Sequence, residues 1–453
     1  MTHFDLVIIG SGSGNSLVQP EFDDWRIAII EEGVFGGTCL NVGCIPTKMY
    51  VYPADLAHNA ADSARLGLAP ATLTADWPAI RDRVFGRIDP ISAGGRDYRA
   101  SGTKNVTLYE AHAEFSGRRE LTLSTGEVIT AERIVLASGS RAVIPPPVAE
   151  SGVPFHTSDT VMRIPALPKR LVIIGAGYIA AEFAHVFASF GTSVTMVARS
   201  TLLRAQDPDI ATRMADLIRE RWDLRVGVDV ASISGTTGAI RVELSDGSVV
   251  EADDILVAAG RTSNSDRLNL EAGGVDVRAD GQVVVDEYQR TSADGVWALG
   301  DISSDYQLKH VANREMKTVA YNLANPNNLK ATDHRFVPSA VFTHPQLASV
   351  GMTEPQAKEA GRNYVTKVQE YGATAYGWAM EDTTSVCKLI ADKDTGLLLG
   401  AHFMGEQAST LIQPLIQAMS FGLKATDMAT GQYWIHPALT EVVENALLGL
   451  DLD

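Results

Sequence analysis

The chain has 453 residues, 45% hydrophobic and 21% charged. That balance fits a globular protein, excludes a disordered one, and leaves room for two to four domains at about 100–200 residues each. A net charge of −17 repels phosphate backbones and excludes nucleic acid or an anionic membrane as the main partner, and only three cysteines exclude a disulfide-built scaffold.

The first apolar run, Leu6–Ile9, is too short for the core of a signal peptide, so a cytoplasmic location is expected. Phe4–Gly14 (FDLVIIGSGSG) reads as a parallel strand covered on both faces that breaks into glycines. It carries the fingerprint Gly10-x-Gly12-x-x-Asn15, with an additional Gly14. Gly10 permits a tight turn, and Gly12 lets the backbone approach a pyrophosphate. The turn should open a helix whose positive end faces that group. Asn15 stands where Gly or Ala is usual. The strand Arg26–Glu31 follows, and Glu31 lies about 20 residues after Gly10, where a ribose 2′-OH would be met.

Two of the three cysteines come next, in Gly36-Gly37-Thr38-Cys39-Leu40-Asn41-Val42-Gly43-Cys44. Residues five apart in a regular helix have Cα atoms about 8.7 Å apart. A disulfide needs about 4.4–6.8 Å. Only an irregular backbone, which Gly43 permits, could bring the two thiols together. In a cytosolic chain such a pair is redox-active or metal-binding rather than structural. Metal is disfavoured, because no second Cys/His cluster follows at usable spacing. Cys387, in an apolar strand, reads as a buried small hydrophobe.

The first pattern then repeats. Arg133–Ser140 (RIVLASGS) ends in Ser138 and Gly139, and Pro145–Pro147 mark a crossing into a second unit. Arg170–Ala180 (RLVIIGAGYIA) holds a second fingerprint, Gly175-x-Gly177-x-x-Ala180. Leu171–Gly191 is apolar enough to resemble a membrane span, but Glu182, His185 and three glycines favour strand, turn and helix. The next strand, Ser193–Val197, ends in Ala198-Arg199, with Arg204 shortly after. No carboxylate stands there to accept from a 2′-OH. The two arginines suit a 2′-phosphate, which favours NADPH over NADH. Asp254–Arg261 (DILVAAGR) closes the second copy at Gly260, and Val296–Asp301 ends in Gly300-Asp301. Beyond Asp333 the sequence turns to strands at Val386–Ile390 and Leu397–Ala401 and helices at Thr410–Phe421 and Glu441–Leu448, an α+β pattern.

GGTCLNVGCIPTK (Gly36–Lys48), both fingerprints, Gly300-Asp301 and the tail His436-Pro437-Ala438-Leu439-Thr440-Glu441 together resemble the pyridine nucleotide–disulfide oxidoreductases over essentially the whole chain. These are flavoenzymes such as glutathione reductase and lipoamide dehydrogenase. The resemblance implies an α/β fold with two Rossmann-like domains and a C-terminal α+β dimerisation domain. The expected division is 1–147 for FAD and the redox disulfide, 148–265 for NADPH, 266–332 completing the FAD domain, and 333–453 for the subunit interface.

By resemblance, Gly37, Thr38, Ser138, Gly139, Gly260 and Gly300 contact cofactor, Glu31 holds the adenosine ribose of FAD, and Asp301 meets its ribityl chain. Lys48 pairs with Glu182 beside the flavin. Cys44 is the thiolate nearest the flavin, and Cys39 is the interchange thiol, which needs a lowered pKa and a nearby base. His436, oriented by Glu441, is that acid/base, supplied from the other subunit of a homodimer. The short acidic stretch Asn15–Trp25, broken by Pro20, and the tail Leu447–Asp453, which lacks extra redox groups, are most like the branch that reduces the disulfide of mycothiol, a cysteinyl sugar thiol. The alternatives are a dihydrolipoamide dehydrogenase-like or glutathione reductase-like enzyme, and a flavoprotein redox sensor without turnover.

Overall fold

The computed structural model describes Met1–Leu452. Thr2–Ile9 forms the middle of a seven-stranded sheet, flanked in parallel by Ile27–Ile30 and Val128–Leu136. Val106–Tyr109 lies beyond Ile27–Ile30. The far edge of Val128–Leu136 is shared. Glu120–Leu123 pairs antiparallel with its first half, and Val296–Ala298 pairs parallel with its second. Leu6, Val7, Ile8, Ile27, Ala28 and Ile29 are completely buried, as continuous apolar runs covered on both faces should be.

The second copy rebuilds this centre. Arg170–Ile174 lies between Ser193–Ala198 and Asp254–Val257 in an all-parallel five-stranded sheet completed by Asp223–Val226 and His156–Thr157. The apolar stretch that resembled a span is the strand Arg170–Ile174 and the helix Tyr178–Ser189. Among the described residues no helix is long and apolar enough to cross a membrane. A two-stranded ribbon, Ser140–Ala142 against Arg261–Ser263, marks where the chain leaves the first sheet unit and returns to it.

The two fingerprints share one constraint. Gly10 and Gly175 have φ of 105° and 129°, and a Cβ on either would strike the carbonyl of the neighbouring strand's end, Ala137 or Ala258. A side chain there is excluded twice over, by backbone conformation and by space.

One expectation fails here. No α-helix follows the first fingerprint. The chain makes a single 3₁₀ turn, Gly14–Leu17, then another at Pro20–Phe22. Few residues separate Gly14 from the next strand, and Pro20 has no N–H to continue a helix. A smaller departure is the expected helix Thr410–Phe421, which divides into Ala408–Leu411 and Gln413–Phe421 with Pro414 starting the second piece.

The C-terminal unit is a five-stranded antiparallel sheet in the order Ser339–Val341, Gln346–Gly351, Leu398–Gly405, Val386–Asp392 and Tyr364–Glu370. Helices including Thr440–Leu448 pack on it. It shares an apolar core with the second nucleotide unit, where Val341, Leu347, Val386 and Met404 join the cluster of Phe183, Ile210 and Met214, and one further tie is ionic. Lys388, 2% exposed, sits 3.0 Å from Asp207, 2.6 Å from Asp209 and 2.6 Å from Glu354. Asp207 is fully buried and caps the helix Pro208–Arg219. Lys388→Met would leave these carboxylates without their cation. It should cost about 3–5 kcal/mol of stability, the usual penalty for breaking a buried pair, measured by denaturant unfolding.

Candidate functional site

A single cleft of about 1610 Å³ runs between the two sheet units and reaches both fingerprints. Along its first half lie Gly10, Gly12, Glu31, Gly37, Thr38, Ser138 and Gly139, with Gly300 and Asp301 facing them. Along its second half lie Gly175, Gly177, Arg199, Arg204 and Gly260. Cys39, Cys44, Lys48 and Glu182 line the cleft as well. Gly14 and Ala180 do not line it. Gly14 is packed behind the loop, where a Cβ would meet Ala137 and Ile8 at 2.8 Å, and Ala180 is fully buried in its helix. Both are packed positions that allow close approach of turn or helix to sheet.

Glu31 organises the first loop. Its Oε2 accepts from the Ser11 N–H at 2.9 Å and the Ser11 hydroxyl at 2.6 Å, and its Oε1 accepts from the Gly33 N–H at 2.9 Å. The Ser11 hydroxyl in turn accepts from Gly36 at 2.8 Å. One carboxylate thus ties the glycine loop to the start of the cysteine segment. Gly12 and Gly37 face each other so closely that a Cβ on Gly37 would lie 2.7 Å from the Gly12 Cα. Ser138 adds a buried hydroxyl without a partner. A glycine-lined cradle and an unsatisfied hydroxyl fit a dinucleotide. Asp301 accepts from Ser140 at 2.7 Å, and Arg261 donates to the same hydroxyl at 2.8 Å.

The cysteine segment is irregular in the way closure requires. A short helix, Gly37–Asn41, stops at Val42, and a second, Cys44–Ala61, starts after Gly43. A Cβ at Gly43 would lie 2.8 Å from the Thr38 carbonyl and 3.2 Å from the Cys39 Cα. Only glycine lets the second helix begin beside the first, which brings the two thiols close enough to set each other's titration. Both cysteines are free thiols. The hydrogen bond from Cys39 lowers the Cys44 thiol to about 7, and the Lys48 ammonium adds to this against the cost of burial. Cys39 goes the other way. Its hydrogen bond to Cys44 and its burial raise it, and Lys309 only partly opposes them. The expected low pKa of Cys39 is therefore not met within one chain, because Cys44 holds the negative charge.

The sign gives a measurement. Cys44 is protonated below its pKa and charged above it. Ultraviolet thiolate absorbance of the reduced protein should rise with a midpoint near pH 7, well below the ordinary thiol value of 9.0. That transition should vanish in Cys44→Ser.

Lys48 and Glu182 are brought together from two helices, at 2.6 Å, with Glu182 only 4% exposed. The other Glu182 oxygen accepts from the Phe342 N–H at 2.9 Å, and the Lys48 ammonium lies 4.3 Å from the Phe342 ring centre. Phe342 comes from the C-terminal unit, and a backbone N–H leaves no sequence signal. Tyr178 also escapes sequence reasoning. It opens the helix after Gly177 and lines the cleft, with 42% of its surface exposed.

Arg199 and Arg204 are exposed on the loop after Ala198, and neither forms an ion pair among the described residues. Replacing both by alanine should raise KM for NADPH about 10–100-fold, the worth of one or two charged hydrogen bonds, and leave kinetics with NADH unchanged.

His436 is not brought to the thiols within one chain. It lies outside the cleft, 69% exposed, with Nδ1 3.4 Å from Glu441 Oε2. Tyr433, Ile435 and Phe421 beside it in sequence or sheet unit are at least 75% exposed. Cys387 is fully buried, and its thiol is pushed well above the ordinary range by that burial.

The chain is 54% identical to mycothione reductase from Mycobacterium tuberculosis over 99% of its own length and 100% of the relative's. It is 33% identical to glutathione reductase from Burkholderia cepacia over 97% of each. Among solved structures, the HOCl-induced flavoprotein disulfide reductase from Escherichia coli superposes with a TM-score of 0.86 at 30% identity, covering 98% of this chain and 99% of that one. Residues 4–316 match the family described as pyridine nucleotide-disulphide oxidoreductase, and residues 337–447 match its dimerisation domain. The chain belongs to the pyridine nucleotide-disulphide oxidoreductase family.

Proposed function

We propose that the protein is an NADPH-dependent, FAD-carrying reductase of mycothione, the disulfide of mycothiol. The observation that carries the substrate is the 54% identity to mycothione reductase over both full lengths. The reaction class is supported by a thiol pair set between two dinucleotide fingerprints in one cleft. FAD would lie along the first sheet unit, residues 1–147 and 266–332, and NADPH along residues 148–265. Bound FAD would supply the two-electron relay between nicotinamide and sulfur.

The chain's own residues then divide the work. Lys48 neutralises charge at Cys44 and is held by Glu182. Cys39 gives up its proton to His436 and attacks one sulfur of the substrate disulfide. A mixed disulfide forms, and the first thiolate leaves and takes the proton back from His436. Cys44, already a thiolate, attacks Cys39, the Cys39–Cys44 bond closes, and the second product departs as a thiolate that takes its proton from solvent. One thiol and one thiolate of the protein are oxidised to a disulfide, and the substrate disulfide is reduced to two thiols. His436 and Glu441 would enter this site from the partner subunit, residues 333–453 forming the interface. The exposed apolar side chains around His436 support that reading.

A dihydrolipoamide dehydrogenase-like role is disfavoured by the second ribose position, where Ala198-Arg199 replaces a carboxylate. The test is a panel of small disulfides under NADPH: mycothione, glutathione disulfide, lipoamide and cystine. Mycothione should give the highest kcat/KM. A higher value for any other would replace the substrate assignment, and no turnover of any would favour a redox sensor.

A further inference from the structure

The two fingerprints lead into different structures. Behind Gly175 and Gly177 the chain enters the 12-residue helix Tyr178–Ser189, whose free N–H groups and dipole suit a diphosphate. Behind Gly10 and Gly12 it makes only the four-residue turn Gly14–Leu17. The first site therefore lacks the helix dipole on which this motif ordinarily relies.

Two cations reach the same turn from distant parts of the chain. Lys309, the first residue of the helix Lys309–Ala324, lines the cleft and donates to the Ser13 hydroxyl at 2.9 Å. Ser13 is buried and is fixed further by donating to Asn313 Oδ1 at 3.0 Å. Arg99 approaches from behind the loop and does not line the cleft. It sits in one turn of π-helix, Tyr98–Gly102, that ends the long helix Trp77–Asp97. Its Nε donates to Asn15 Oδ1 at 2.8 Å and its Nη2 to the Asn15 carbonyl at 3.3 Å. Asn15 thus has a use that explains its departure from the Gly/Ala pattern: its side chain anchors an arginine. Nearby Glu31 is engaged with Ser11 and Gly33, and Asp301 with Ser140, so neither neutralises Lys309.

We infer that Lys309 supplies the positive charge that holds the FAD diphosphate at the first fingerprint, with Arg99 as a positioning residue that fixes the phosphate loop through Asn15. This rests on the reading that FAD binds there. A helix end offers about half a unit charge, whereas an ammonium on a flexible stem brings a whole one and can follow the phosphate oxygens.

The test uses full-length apoprotein titrated with FAD and, separately, with ADP, at several salt concentrations. Lys309→Met should weaken both ligands about tenfold or more, as expected for loss of a charge-assisted hydrogen bond, and should flatten the salt dependence of binding. Lys309→Arg should restore most of the affinity. Arg99→Met should weaken FAD while keeping the wild-type salt dependence, and Arg99→Lys should recover part of the loss. Thermal unfolding of each apoprotein separates these effects from misfolding. Unchanged FAD and ADP affinity in Lys309→Met overturns the assignment. So does a loss for FAD with ADP unchanged, which would move Lys309 to the flavin end of the cofactor. A wild-type chain that takes up no FAD is a different failure, since it removes the cofactor reading itself.

Discussion

Cys39→Ser should abolish NADPH-driven reduction of disulfide substrate while leaving FAD content and NADPH consumption in a single turnover intact. The reason lies in how the two sulfurs divide one proton. Cys44 carries the charge, lowered to about 7 by the Cys39 hydrogen bond and by Lys48. Cys39 keeps the proton and stands at the intermediate exposure an attacking sulfur needs. A serine in place of Cys39 can still donate to Cys44, so the thiolate and the Lys48–Glu182 pair should persist. What disappears is the sulfur that can form a mixed disulfide. Rapid mixing with NADPH followed by mycothione measures both halves. The first phase should match wild type, and the second should fall to background. Steady disulfide turnover by Cys39→Ser would remove Cys39 from the exchange step. The mirror variant, Cys44→Ser, should differ in kind. It loses the thiolate that holds Cys39 in its protonated form, so a Cys39 released from that neighbour should react readily with a thiol reagent and yet close no intrachain disulfide.

How much of this was legible beforehand depends on the range of each interaction. The doubled strand–glycine pattern at Gly10 and Gly175 is local, and both sheets follow from it. Glu31 was found by spacing alone, because a strand places its end at a fixed distance from the turn. The approach of Cys39 to Cys44 also had a local cause, the missing side chain of Gly43. The first helix was the instructive failure. The motif carries an expectation of a helix, but Pro20 and the short stretch to the next strand outweigh it. What replaces that helix, Lys309 and Arg99, lies far away in the sequence and could not be paired by any periodicity. The same holds for Lys388 and its carboxylates, and for the Phe342 N–H that holds Glu182. Local glycine chemistry reads out directly, whereas groups that satisfy a site from across the fold become visible only once the topology joins them.

The other large effect concerns a residue outside the cleft of its own chain. His436→Gln should slow disulfide reduction by roughly 10²–10⁴-fold, the usual cost of losing a general acid/base, with flavin content and first-phase NADPH oxidation unchanged. Glutamine keeps a polar side chain next to Glu441 but cannot cycle a proton. The raised Cys39 thiol makes the loss severe, because a sulfur that holds its proton needs a base to release it before it can attack. The decisive arm is a mixed dimer. If Cys39 of one subunit works with the partner's His436, a dimer pairing a Cys39→Ser chain with a His436→Gln chain holds one site with both lesions and one intact site. A symmetric interface makes this complementation obligatory. Co-expressed, differently tagged and separated, the mixed dimer should regain activity that neither parent shows. Activity no higher than that of the parents would place both residues in the same chain's site, and the exposed His436 would then need a large movement of its loop to reach Cys39.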